Sequence, residues 1–204
     1  TNSASAVETT SGAITVSGDG FTVDNSAELK SDIGVVTFSG ANASVAGGAT
    51  VETDSSAISF TGTGATVEGG ATVRTTSSNI TFSGANAAIK AGVETNSGDV
   101  TLSGGNTALN GGTVTTASGD INVTGSLNMT GDGTLEATSG TIAMDAAVTN
   151  AGGTETLTLI TSNAVTQPNT AGINVDQLAL QGTGTFTPDD AANQISQLAA
   201  GTPG

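Results

Sequence analysis

"ATVETDSSAISFTGTGATVEGG" (residues 49–70) runs directly into "ATVRTTSSNITFSGANAAIKAG" (residues 71–92). The valine, isoleucine, phenylalanine and following glycine hold their places while the charges change. Self-similarity at such a spacing is the mark of a stacked-repeat architecture. Extending the alignment in both directions gives a first apolar column of Val7, Leu29, Val51, Val73, Val93, Val114, Leu135 and Leu157, with steps of 20 to 22 residues. A second column holds the pairs Ile14/Val16, Val36/Phe38, Ile58/Phe60, Ile80/Phe82, Val100/Leu102, Ile121/Val123 and Ile142/Met144. A third runs through Val23, Val45, Val67, Ile89, Leu109 and Met129.

Each pair in the second column is separated by one polar or small residue, the period-2 pattern of a strand with one buried face. Three short strands separated by Gly, Ser, Asn and Asp close one coil of about 20 residues, and successive coils then pair strand on like strand. The fold expected is all-β, a parallel β-helix (β-solenoid) with three strands per coil, right-handed by the rule for parallel crossovers. The inward set of a single coil does not offset the cost of ordering it, so stability must come from stacking. Phe38, Phe60 and Phe82 are expected to form a spine in the N-terminal half.

Corner chemistry supports the parse. Gly20, Asn42, Gly64, Asn86 and Asn106 recur after the second strand, and Gly and Asn are the residues that tolerate positive φ. The charges provide an independent test. One position after the first column lie Glu8, Lys30, Glu52, Arg74, Glu94, Thr115 and Glu136, which sets Lys30 and Arg74 each between two glutamates; Lys90 falls one coil above Glu68. An alignment built only on apolar residues thus places every base of the chain beside an acid.

The 204 residues fit a single rod, with regular coils over 7–160 and less regular coils or a cap over 161–204. Strands are expected at Ile173–Val175, at Leu178–Leu180 and around Phe186, with Ile173 and Ile195 one interval of 22 apart. Pro168 and Pro188 belong in corners or at strand starts. A capping helix over Ala191–Ala200 is the alternative for the tail. With no cysteine, no disulfide staples the fold. A net charge of −15 and only three basic residues argue against nucleic acid and anionic membranes as partners. No apolar run is long enough for a membrane helix, and "TNSASAVETT" lacks the flanks of a signal peptide.

The coils "TTSGAITVSG", "TNSGDVTLSG" and "TASGDINVTG", and the tail segments "AVTQ", "LALQGTGTF" and "NQISQLAA", resemble the rods of filamentous-haemagglutinin-like exoproteins of bacterial two-partner secretion. Autotransporter passenger adhesins are similar. The resemblance implies a right-handed β-helix rod, export through an outer-membrane transporter to the bacterial surface or medium, and adhesion to a host or neighbouring-cell glycan or protein. The "NPNL" or "NPNG" motif of the family's secretion domain is missing from this stretch, which would then be rod cut from a longer polypeptide.

Catalysis needs more than the residues offer. A β-helix lyase requires a basic residue to take a proton and acids around calcium, yet Arg74 is accounted for by its glutamate neighbours. Asp189 and Asp190 resemble a glycosidase pair only in type, because adjacent strand residues face opposite ways and a proline precedes them. Asp99 and Asp120 share an outward column, where like charges repel or a divalent cation bridges them. Thr37, Ser59, Thr81, Thr101 and Asn122 make one outward hydroxyl-rich row, which raises an ice-binding reading; a single row beside a charged strand argues against it. Sequons occur at Asn42, Asn79, Asn122 and Asn128. The expectation is a non-enzymatic structural rod of a secreted or surface adhesin, without catalytic, metal or cofactor residues; a carbohydrate-active β-helix is the alternative. Self-association through open coil ends is a further possibility.

Overall fold

The computed structural model describes residues 6–168 and 171–201. Within them every regular element is a strand. The third coil shows the plan: Thr50–Thr53, Ile58–Phe60 and Thr66–Val67, after which the chain begins the next coil at Thr72–Thr75. Each strand pairs in parallel with its counterparts one coil before and after, giving three sheets of ten, nine and seven strands. Val51 lies between Leu29 and Val73, Phe60 between Phe38 and Phe82, and Val67 between Val45 and Ile89. The molecule is therefore a β-solenoid of three strands per coil, with the three apolar columns turned inward.

One register differs from the sequence expectation. Leu135 pairs with Leu159, not Leu157, which pairs instead with Gly133. That coil takes a step of 24, because residues 151–155 lengthen the corner before Thr156–Thr161. The tail differs too. Asn174–Gln181 is one eight-residue strand rather than two pieces, and Gln194–Gly201 is a strand where a helix was the alternative. Val175 pairs with Ile195, so the interval there is 20 rather than the 22 of Ile173 to Ile195. Pro168 and Pro188 lie between strands, as their missing N–H requires.

Side chains in the columns are sealed from water: Val36, Val51, Ile58, Val73, Ile80, Val93, Leu102, Leu109 and Ile121 are all fully buried. Phe38, Phe60 and Phe82 stack face to face, with ring centroids 4.6 and 4.5 Å apart and planes within 5° and 3°. The coil rise sets this spacing, since identical residues in register must repeat at the strand separation of about 4.8 Å.

Two corners make so tight a stack possible. After five successive second-sheet strands, from Val36–Phe38 to Ile121–Val123, two consecutive N–H groups share the carbonyl one coil below: Ser83 and Gly84 both donate to Phe60 O, at 2.9 and 3.1 Å. Ser39/Gly40, Thr61/Gly62, Ser103/Gly104 and Thr124/Gly125 repeat the arrangement. In these five coils the second residue is glycine, and a Cβ on Gly40, Gly62, Gly84, Gly104 or Gly125 would overlap the carbonyl oxygen of the glycine one coil below. The turn that follows uses left-handed backbone at Gly20, Asn42, Gly64 and Asn86 (φ 66°, 55°, 73° and 59°), as expected. Asn106 does not join them. Its corner, Leu102 to Thr107, is the same step of five as Phe82 to Ala87, and the step shortens to four only in the next coil, Val123 to Leu127.

At the other corner the first-sheet strands end on an inward hydroxyl. Ser31, Thr53, Thr75, Thr95 and Thr116 form one buried column. Thr116 Oγ1 accepts the Gly119 N–H at 2.9 Å and donates to Gly98 O, one coil below, at 3.0 Å. Thr95 makes the same two bonds with Gly98 N and Ser78 O. Ser31 does likewise with Gly34 N and Gly12 O, so these three hydroxyls close their own turns and tie them to the previous coil, while Thr53 and Thr75 both donate to Ser56 O. A buried polar side chain with both roles satisfied stabilises rather than costs.

Thr107 is the exception. It occupies an inward position between Ala87 and Leu127, is fully buried, and its hydroxyl has no hydrogen-bond partner. Thr107→Val removes an unsatisfied donor at nearly constant volume. It is expected to stabilise the protein by about 1 kcal/mol, raising the melting temperature by roughly 2–4 °C in a thermal melt followed by circular dichroism.

Candidate functional site

Function on a solenoid resides in its outward rows and corners, since the inward columns are filled. The outward row of the first sheet runs Glu8, Lys30, Glu52, Arg74, Glu94, Thr115, Glu136, in the register the sequence indicated. The bases do not divide evenly between their acidic neighbours. Arg74 Nη2 donates to Glu52 Oε1 at 3.0 Å, and Lys30 Nζ lies 3.7 Å from the same oxygen. Among the described residues neither base forms a second pair within this row. Lys90 pairs with Glu68 at 3.1 Å, as expected.

Glu52 is consequently held between two cations and is only 9 % exposed. The Arg74 hydrogen bond, helped by the charges of Arg74 and Lys30 and opposed by burial, keeps its carboxyl below the ordinary glutamate range. The same bond raises the Arg74 guanidinium. A carboxyl with a lowered folded-state pKa contributes stability that is present above its unfolded pKa and is lost as pH falls through the folded one. Glu52→Gln is therefore expected to cost about 1 kcal/mol near neutrality and nothing in acid below the folded pKa. Denaturation titrations of both proteins across the acid range check this.

Of the acids singled out in the sequence, Asp99, Asp120 and Asp190 prove to be corner fasteners. Asn79 Oδ1 accepts the Asp99 N–H at 2.8 Å, Asp99 Oδ1 accepts the Asp120 N–H at 2.9 Å, and Asp120 Oδ1 accepts the Thr141 N–H at 2.7 Å. Asp99 and Asp120 do stack, but each spends a carboxylate oxygen on the backbone of the next coil. Asp190 is nearly buried; its two oxygens accept the N–H groups of Ala171 and Ala192 at 2.9 and 2.8 Å. Asp189, its neighbour, takes no part in those two bonds. Among the described residues no group of three or more acids, histidines or cysteines converges as a metal site would require, and no helix is long and apolar enough to cross a membrane.

The hydroxyl face is larger than sequence reading indicated. Thr37, Ser59, Thr81, Thr101 and Asn122 pair in succession along the second sheet. A second column, Ser39, Thr61, Ser83, Ser103 and Thr124, lies two residues further on, each member exposed. The two columns carry no charge over these coils. The signal was present in the sequence as Ser or Thr on both sides of each buried Phe, Leu or Val, but the second column falls just past the strands and reads as turn. Of the sequons, Asn42 is exposed in a left-handed turn, Asn79 and Asn128 use their side-chain oxygens on Asp99 N and Thr149 Oγ1, and Asn122 sits half-buried in the hydroxyl column.

Fold and surface together define a β-solenoid with structural corners and two contrasting outer faces, one charged and one hydroxylated. No family model matches the chain, and neither the curated proteins nor the solved structures contain a match to it.

Proposed function

We propose that this chain is a non-enzymatic structural rod segment of a bacterial secreted or surface adhesin, similar to the rods of filamentous-haemagglutinin-like exoproteins. The observation that carries the reading is the unbroken parallel register of the first sheet through all ten of its strands, accompanied by the second sheet over nine and the third over seven. Stacked at about 4.8 Å per coil, some nine coils span roughly 40 Å. Such a rod displays side-chain rows at fixed spacing and holds distal binding regions away from the cell. The employment of Asp99, Asp120 and Asp190 on backbone N–H groups supports a structural over a catalytic role for these acids. The partners proposed are a host or neighbouring-cell surface glycan or protein and, during export, an outer-membrane transporter. A glycan array run beside a polysaccharide-degradation assay tests the reading: retention or indifference without turnover agrees with it, and depolymerisation of any polymer overturns it in favour of a carbohydrate-active β-helix.

The double hydroxyl column favours one second reading, recognition of an ordered lattice such as ice. Its hydroxyls repeat at about 4.8 Å between coils and about 6.6 Å along the strand, on an uncharged surface. Thermal hysteresis in the native protein that is lost in Thr81→Lys would support it; its absence in the native protein removes it.

A further inference from the structure

One outward position breaks the pattern of the rod's sides. From Glu28–Ser31 to Asn174–Gln181 the outward positions of the first sheet hold Thr, Gly, Ala, an amide or a charged residue, and Ile160 is the exception. It pairs with Glu136 on one side and Gln181 on the other. A branched apolar side chain turned away from the core adds nothing to the inward columns, and such breaks in patterning mark functional positions. Ile160 lines a cavity of about 240 Å³ together with Glu136, Thr138, Ser162, Gly182 and Thr183. Gly182, at φ 110°, leaves one wall bare, since a Cβ there would strike the Thr161 carbonyl. Thr138, Ser162 and Thr183 are exposed along the rim, and Thr138 Oγ1 lies 3.5 Å from Glu136 Oε1. The cavity belongs to the side of the rod: each of the strands Gly133–Ala137, Thr156–Thr161 and Asn174–Gln181 is bonded to a coil below and a coil above.

We propose that this cavity binds a single neutral sugar ring, an inference that rests on the adhesin reading and narrows its glycan partner to a terminal neutral hexose. The volume, below the roughly 300–1,000 Å³ of pockets for drug-sized ligands, has room for one ring. A hexose has an apolar C–H face and an edge of hydroxyls. Ile160 offers the C–H face a floor, and the Glu136 carboxylate accepts from the ring hydroxyls in charge-assisted bonds, the stronger kind. The hydroxyls of Thr138, Ser162 and Thr183 both donate and accept, which suits a ligand whose own hydroxyls do the same. Charge sets the selectivity. Glu136 forms no ion pair among the described residues, and no Lys or Arg follows Lys90. An acidic sugar here would set its carboxylate against that of Glu136 with no cation to neutralise either, on a chain of net charge −15.

NMR titration of the native chain reads this directly at the Ile160 methyl signals, assigned by their loss in Ile160→Thr. The probes are the methyl glycosides of glucose, galactose and mannose, with that of glucuronic acid as the acidic counterpart. Saturable shifts with at least one neutral glycoside, and none with the glucuronic acid derivative, are expected. Thr115 occupies the same row two coils earlier, so Ile160→Thr leaves the fold intact by circular dichroism. Saturation transfer to the neutral glycoside is expected to show binding weakened about tenfold in that variant. Glu136→Gln, which keeps the shape and removes the charge, is expected to weaken it by a similar factor. A native chain that binds no neutral glycoside, or takes the acidic one equally well, overturns the site, as do two variants that bind like the native. Those results leave the rod reading standing, because a rod needs no sugar of its own; turnover of a polymer overturns the rod reading instead.

Discussion

Phe60→Ala is expected to destabilise the protein by about 3–5 kcal/mol, toward the upper end of that range. Phe60 is 1 % exposed and stacks on a ring above and a ring below, at 4.6 and 4.5 Å. Removing it opens a cavity that neighbours cannot fill, since the ladder fixes the coils on either side at the strand separation. Two aromatic contacts, each worth roughly 0.5–1.5 kcal/mol beyond burial, are lost together. Phe21→Ala makes the comparison, because Phe21 is 42 % exposed at the open end; its loss is expected to cost under about 1.5 kcal/mol. Equilibrium urea denaturation of the three proteins measures the difference, and equal losses would contradict the role of the internal stack.

Gly84→Ala has a comparable expected effect with the opposite cause. The added methyl group overlaps the Gly62 carbonyl, and that obstacle is backbone rather than a side chain that can swing away. Two coils must part at the corner where Ser83 and Gly84 share the Phe60 carbonyl. A loss of about 3 kcal/mol is expected, the upper range for overpacking. Gly18 begins the same column and has nothing within 4 Å of the position its Cβ would take. Gly18→Ala is therefore expected to change stability by less than about 0.5 kcal/mol. The pair separates steric exclusion from any intrinsic cost of replacing glycine in a Ser-Gly corner.

The apolar columns were legible in the sequence because inward and outward residues alternate strictly, and a slip by one residue would bury the polar set. That is why Val7 to Leu135, the second-sheet pairs and the third column all fall where the alignment put them. A slip by two residues keeps every side chain on its own face. "TLTLIT", residues 156–161, offers Leu157 and Leu159 equally to the core, and the choice rests on the length of the corner before it. The same ambiguity separates Ile173 from Val175 as the partner of Ile195.

Polar features were less legible for a different reason. Ser31, Thr53, Thr75, Thr95 and Thr116 lie at inward positions, where side-chain chemistry suggests solvent and only the geometry of the turn shows a partner. Asp99 and Asp120 were correctly placed in one column, but two stacked carboxylates read as repulsion or as a cation site until the accepting backbone N–H groups are seen. The charge row was found with the right neighbours, while the convergence of Lys30 and Arg74 on one oxygen of Glu52 depends on rotamers.

Every strand in this molecule is bonded only to the turn before and the turn after. Under tension applied between the two termini such a chain yields like a stitched seam rather than a knot. The outermost turn detaches by itself, releasing a contour of roughly 70 Å from about 21 residues at 3.3–3.6 Å each, and each detachment presents the next turn to the load. Resistance then steps upward when the peeling front reaches the three stacked rings, so a pulled rod dissipates work in small installments and keeps its remaining length folded.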